Sequence, residues 1–219
     1  MKEKGMMYGL AGSYAYHNKM MLKGEAKGSW GEVDYSNSGK IKNITDYMLE
    51  FRGLVGYDFP ISNSSTFTPY IGLGYRYLND DMSGETSTTG ALGYERESNY
   101  IYSPLGVAFI IDLGNKWSTV ETIEYDLLWW GKQKSHLSDA VPGFNDPSNR
   151  QEKGYGLRGS LTLQKKGEKI DIEVGPYIRY WNIKKSKIET ITYYGVPIGY
   201  GWEPKNKSTE IGILGAIKF

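Results

Sequence analysis

The sequence predicts an all-β transmembrane barrel, an antiparallel up-and-down sheet of about ten strands when complete, nine of them readable in this chain. Three observations predict it. Apolar and polar residues alternate with period two through the whole chain, as a pleated strand with two unlike faces requires. The alternating runs match or exceed the ~9–11 residues that cross a bilayer. Aromatic residues gather at both ends of the apolar stripes.

The strands follow in order. Residues 6–16 carry Met6, Tyr8, Leu10, Tyr14 and Tyr16 on one face and the small Gly9 and Ala11 on the other. Residues 20–30 set Leu22 and Trp30 against Lys23, Glu25 and Lys27. Residues 47–59 set Tyr47, Leu49, Phe51, Val55, Tyr57 and Phe59 against Glu50, Arg52 and Asp58. Residues 67–77 set Phe67, Ile71, Leu73 and Tyr77 against Gly72, Gly74 and Arg76. Residues 101–113 set Ile101, Leu105 and Phe109 against Gly106 and Asp112. In residues 117–129, Trp117, Ile123 and Trp129 oppose Glu124 and Asp126. Here Glu121 falls on the apolar face and Val120 on the charged one, so a bulge is expected beside them. Residues 155–163 set Tyr155, Leu157 and Leu161 against Gly156 and Arg158, and residues 170–180 set Ile172, Val174, Ile178 and Tyr180 against Asp171, Glu173 and Arg179. Residues 209–219 end the series, with Ile211, Ile213, Ile217 and Phe219 against Glu210, Gly212 and Lys218.

A soluble lipocalin-like barrel, which turns its apolar stripes inward and binds a ligand there, is the alternative. The aromatics argue for a membrane instead. Tyr8, Trp30, Tyr47, Tyr77, Trp129, Tyr155 and Tyr180 lie at one end of the stripes; Tyr16, Phe59, Phe67, Trp117 and Phe219 lie at the other. Two such girdles mark the two interfaces of a membrane barrel. The opposite face mixes small residues with charges of both signs: Glu50, Arg52, Arg76, Glu124, Asp126, Arg158, Glu173, Arg179 and Glu210. Charges turned into a narrow interior must pair, so these residues are expected to form a lumen network. Selectivity of a narrow pore is the other role open to them.

Connections alternate in length. Residues 17–19, 60–65, 114–116 and 165–169 are short links; residues 32–45, 78–97, 131–153 and 184–207 are long ones. Short periplasmic turns and long extracellular loops are the pattern of outer-membrane barrels. On that orientation residue 1 lies outside and Phe219 in the periplasm. An odd strand count leaves an unpaired edge in lipid, so an ascending strand upstream of Met1 is expected, within a single domain over residues 1–219.

Composition excludes other classes. The 26 Lys and Arg nearly cancel the 25 Asp and Glu, which disfavours a nucleic-acid partner held by bulk charge. There is no cysteine and there are two histidines, so neither a disulfide framework nor a thiolate or His-rich metal site is expected, and no cofactor. No apolar run is long enough for a transmembrane helix, and no secretory signal follows Met1.

Residues 210–219, Glu-Ile-Gly-Ile-Leu-Gly-Ala-Ile-Lys-Phe, resemble the C-terminal signal strand of bacterial outer-membrane proteins. That resemblance implies recognition by the barrel assembly machinery through the strand ending at Phe219. Residues 69–77 (Pro-Tyr-Ile-Gly-Leu-Gly-Tyr-Arg-Tyr) are similar to a strand of small opacity-type surface barrels. Residues 75–81, 94–100 and 179–183 are similar to uncharacterised proteobacterial outer-membrane β-barrel proteins. The likeness implies architecture and a bacterial outer-membrane location, with lipid and lipopolysaccharide as surroundings, and no activity.

The primary expectation is a non-enzymatic surface barrel or narrow channel with long extracellular loops. One enzymatic candidate stands beside it. His136, Ser138 and the later Glu152 resemble the His/Ser/Glu arrangement of outer-membrane lipid A deacylases, in which an imidazole held by a carboxylate activates a hydroxyl. Omptin-type rim proteases need an Asp–His dyad, and only Asp80, Asp81, His136 and Asp139 offer material for one. Asp80 and Asp81 are also a candidate cation pair, and Lys132, Lys134 and Arg150 candidate contacts to lipid phosphates. His17 is expected in a turn.

Overall fold

Period-two alternation becomes a curled antiparallel sheet in a computed structural model that describes residues 2–168 and 170–218. Its strands are β1 (Lys2–Asn18), β2 (Met20–Asn37), β3 (Gly39–Tyr57), β4 (Phe59–Ser62), β5 (Ser65–Asp81), β6 (Arg96–Gly114), β7 (Trp117–Ser135), β8 (Ser148–Gln151), β9 (Gly154–Lys165), β10 (Asp171–Ile183), β11 (Glu189–Tyr193), β12 (Val196–Gly201) and β13 (Asn206–Lys218). One short helix, α1 (Leu137–Ala140), follows β7. The staves run in the order β1-β2-β3-β5-β6-β7-β9-β10-β13, each antiparallel to the next. Nine alternating staves give β1 and β13 the same direction, and among the described residues β1 pairs with β2 alone and β13 with β10 alone. A nearly closed barrel results.

The barrel is apolar outside and charged inside, the reverse of a lipocalin-like fold. Ile213 is 80% exposed and Ile123 69%, whereas Glu50 is 2% exposed and Asp126 0%. Rings meet at both ends of the outer stripes. Tyr47 and Tyr77 lie 5.7 Å apart near one end, with Tyr125, Tyr155 and Tyr180 in a second series at that end. Tyr57, Phe59, Phe67 and Phe109 form a row at the other. Phe219 lies outside the described residues.

Most strands continue beyond the sequence boundaries on the long-loop side. Residues 32–45 are not a loop: β2 and β3 stay paired to a tight turn at Ser38, where Gly39 takes φ +91°. An apolar cluster of Val33, Ile41, Ile44 and Met82 holds that extension together. Strands can outrun a bilayer because paired backbone is satisfied in water as well as in lipid. The short link at 60–65 is partly strand too, since β4 pairs with β5. His17 lies within β1, and the turn falls at Lys19, with φ 62°. The expected bulge is also displaced. Val120 and Glu121 keep a regular register with Ile110 and Phe109; the extra residue is Trp129, skipped between Tyr102↔Leu128 and Ile101↔Trp130. Glu121 stays on the outer face and accepts from the Thr119 hydroxyl at 3.2 Å. Beyond the bulge the inward parity flips to Gly131, Gln133 and Ser135.

The remaining connections carry structure of their own. Residues 136–147 hold α1, β8 folds back on the upper half of β7, and β11 with β12 makes a hairpin between β10 and β13.

Candidate functional site

The barrel interior is crossed by one chain of alternating charges. It starts at Lys23, 2.7 Å from Glu25, which also pairs with Arg52. Arg52 reaches across to Glu124 on β7 at 2.6 Å. Arg158 on β9 links Glu124, 3.1 Å away, to Glu50 on β3, 3.2 Å away. Arg179 on β10 pairs with Glu50 and lies 3.5 Å from Glu210 on β13. Arg76 at 3.1 Å and Lys27 at 3.3 Å complete the shell of Glu210. Glu25–Arg52, Glu124–Arg158 and Arg179–Glu210 sit opposite each other on neighbouring strands, whereas Arg52–Glu124, Arg158–Glu50, Arg179–Glu50, Arg76–Glu210 and Lys27–Glu210 join strands that are not neighbours and so span the interior.

Local sequence makes room for the chain. Gly74 and Gly106 leave space for the rings of Tyr102 and Tyr70, whose carbons a Cβ would meet at 2.3 Å and 2.4 Å. Those rings bring phenol hydroxyls to the carboxylates: Tyr70 donates to Glu124 at 2.8 Å and Tyr102 donates to Glu50. Neither tyrosine stands out in the sequence. The available signal was an aromatic on an otherwise small, charged face, opposite a glycine. Asp126 joins less closely, 4.0 Å from Arg158. Glu173 lies apart, nearer the short-turn end, where the Thr162 hydroxyl donates to it at 2.6 Å.

Above the long-loop aromatic band the balance changes. Glu3, Asp46, Asp80 and Glu203 share the mouth with Arg96. Arg96 binds Glu203 at 2.7 Å and lies 4.0 Å from Glu3. Glu203 comes from the segment after β12 and is fixed by the Ser135 hydroxyl at 3.2 Å and by Ser186, which accepts from its backbone N–H at 2.8 Å. Burial, with Asp80 alongside, pushes the Glu3 carboxyl up to about 7. Burial, with Asp80 and Glu3, pushes Asp46 up to about 7 as well. Asp80 and Asp81 do not form a cation pair: Asp80 faces the mouth, while Asp81 accepts from the backbone and hydroxyl of Ser83.

The proposed hydrolase residues do not assemble as a triad. The Ser138 hydroxyl donates to Asp146 at 2.9 Å rather than to His136. The His136 ring lies between Glu97 (Nε2 to Oε2, 3.2 Å) and Asp146 (Nδ1 to Oδ2, 3.6 Å). Glu152 binds Arg150 and Lys187, each at 2.9 Å. His136 caps α1 and Ser138 lies inside it, so the helical turn sets their directions.

The family model described as autotransporter beta-domain matches residues 1–178 of the chain. The match covers β1 through most of β10 and so includes every element of the charge chain except Arg179 and Glu210. No curated protein matches the chain.

Proposed function

We propose that this chain, which belongs to the autotransporter β-domain family, is an outer-membrane barrel with a closed interior that works through its extracellular face. The family match makes the barrel and its outer-membrane location firm, and barrels of this family are inserted by the barrel assembly machinery. The finer reading is a structural or surface-interaction role rather than conduction. One observation carries it: Glu50 at the centre of the interior is held by Arg158, Arg179 and the Tyr102 hydroxyl, from three other strands. About eight strands enclose an interior that side chains just fill, and nine add little. Long, paired guanidinium groups across that space support a closed interior. The rim then presents the working surface, where Lys132, Lys134 and Arg150 suit the phosphates of lipopolysaccharide. The C-terminal strand supports recognition by the assembly machinery.

The role is non-enzymatic on this reading. The Ser138 hydroxyl donates to the Asp146 carboxylate, and the imidazole–serine contact of a His/Ser/Glu triad is not formed.

Single-channel conductance in planar bilayers tests the reading. A folded barrel, identified by its heat-modified gel mobility, is expected to insert and stay silent. Stable discrete conductance would overturn the closed interior and make Arg52, Arg158 and Glu50 selectivity residues.

A further inference from the structure

Two stretches, the residues just before β6 and those that run from β7 into α1, meet at the extracellular rim around one imidazole. Glu95 lies just before β6, His136 just after β7, and Asp139 in α1. One ligand atom from each of these residues lies within 4.8 Å of the other two. Glu97 and Asp146 stand at the two edges of the same ring, 3.2 Å and 3.6 Å from its nitrogens. Four carboxylates thus face one imidazole and one ammonium, Lys134, which is 3.9 Å from Asp146.

The carboxylates are arranged in a common way. Glu95 Oε1 accepts from the Asn79 amide, Glu97 Oε1 from the Tyr77 hydroxyl at 2.7 Å, and Asp146 Oδ1 from the Ser138 backbone N–H and hydroxyl. Each therefore has one oxygen tied by an outer donor and turns the other towards His136. Asp139 is fixed as well, since the Glu95 backbone N–H donates to its Oδ2 at 3.2 Å. Carboxylates steered by outer donors, and an imidazole whose second nitrogen faces a carboxylate, are the supports that metal ligands use. The Asp146 contact to Nδ1 leaves Nε2 facing Glu95 and Glu97.

We propose that His136 Nε2, Glu95 and Asp139 bind one divalent transition-metal ion at the rim, with Glu97 within reach as a fourth ligand and Asp146 as the positioning residue. One nitrogen with carboxylate oxygens suits zinc or its neighbours rather than calcium, which takes oxygen alone. The spacing fits. Two ligands at ~2.1 Å on a tetrahedral ion lie about 3.4 Å apart, and His136 Nε2 is 4.0 Å from Glu95 Oε2. The ion relieves the excess of negative charge and ties α1 and its loop to the ends of β6 and β7. It does not depend on whether the interior conducts.

The test uses the full chain refolded in detergent, freed of metal with a chelator, then titrated with Co²⁺ alone and with Zn²⁺. The expected result is one Co²⁺ per barrel with visible absorption bands, displaced by Zn²⁺. His136→Ala should remove the bands, and Glu95→Gln should weaken binding at least about tenfold. Asp146→Asn should weaken it by about 10–100-fold while leaving the ligand bands in place at saturation. Asp81→Asn, away from the ring, should bind as the parent does. An unmodified barrel that shows no saturable Co²⁺ binding overturns the proposal without any variant. So does binding unchanged in a His136→Ala barrel that retains its heat-modified mobility.

Discussion

The interior at membrane depth and the mouth above it are both charged and buried, yet they solve burial differently. At membrane depth Glu25, Glu50, Glu124 and Glu210 each touch at least two cations, and Arg52, Arg158 and Arg179 each touch two carboxylates. In the mouth, Glu3, Asp46, Asp80 and Glu203 gather around Arg96, and Glu3 and Asp46 keep oxygens without a hydrogen-bond partner among the described residues. The lesson concerns solvent. Far from water an unpaired charge costs several kcal/mol, and those four glutamates are each paired; Asp126, 4.0 Å from Arg158 and with both carboxylate oxygens lacking a hydrogen-bond partner among the described residues, is the exception. Near water a carboxyl can hold a proton instead, and the raised values of Glu3 and Asp46 are that solution.

The comparison breaks most sharply at Arg179. Arg179→Ala leaves Glu50 and Glu210 short of a cation in the interior and should cost about 3–5 kcal/mol, read from the urea midpoint of the folded barrel. An unchanged midpoint would mean that the chain of charges is not cooperative. Arg96→Ala, the same truncation in the mouth, should cost clearly less at pH 7 and less again at pH 5, where Glu3 and Asp46 are protonated.

Packing comes next. Gly74→Ala drives a methyl into the Tyr102 ring and moves its hydroxyl off Glu50, for about 1–3 kcal/mol. A neutral result in the same urea titration would show that the ring has room to yield.

A pH response is expected in the mouth. Glu3 and Asp46 hold protons to about 7 when folded, against ordinary values of 4.5 and 3.8. Folded values above unfolded ones lend stability that is full below pH ~4 and lost as pH rises through 7. Hydrogen exchange should therefore show the ends of β1, β3 and β5 better protected at pH 5 than at pH 8. Glu3→Gln combined with Asp46→Asn should flatten that slope, and a slope that persists would place its source elsewhere.

The smallest effect belongs to the exposed Glu152–Lys187 pair. Glu152→Gln should leave the unfolding midpoint unchanged, because a solvated pair trades one hydration for another.

Strand periodicity was legible because a pleat has only two faces, and lipid and lumen demand opposite chemistry of them. That determined the nine staves, the inward Glu50, Arg52, Arg158 and Arg179, the outward aromatic bands and the outer-membrane compartment. Strand ends were not legible. Above the membrane both faces meet water or other loops, the alternation fades, and pairing to Ser38 rests on a small cluster around Ile44 and Met82. The bulge at Trp129 escaped for a similar reason: two adjacent tryptophans satisfy either parity. Nor could the linear chain reveal which carboxylate meets which guanidinium. Glu50 lies 108 positions from Arg158, and only the curl of the sheet carries one to the other. His136 shows the same limit at the rim, where Glu95 and Glu97 reach it from the start of β6, some forty positions earlier, and Asp146 from the loop after α1. Sequence alone determined faces, because a face is set by neighbours two residues apart. Partners were decided by tertiary structure, because closing a barrel sets distances that no local pattern encodes.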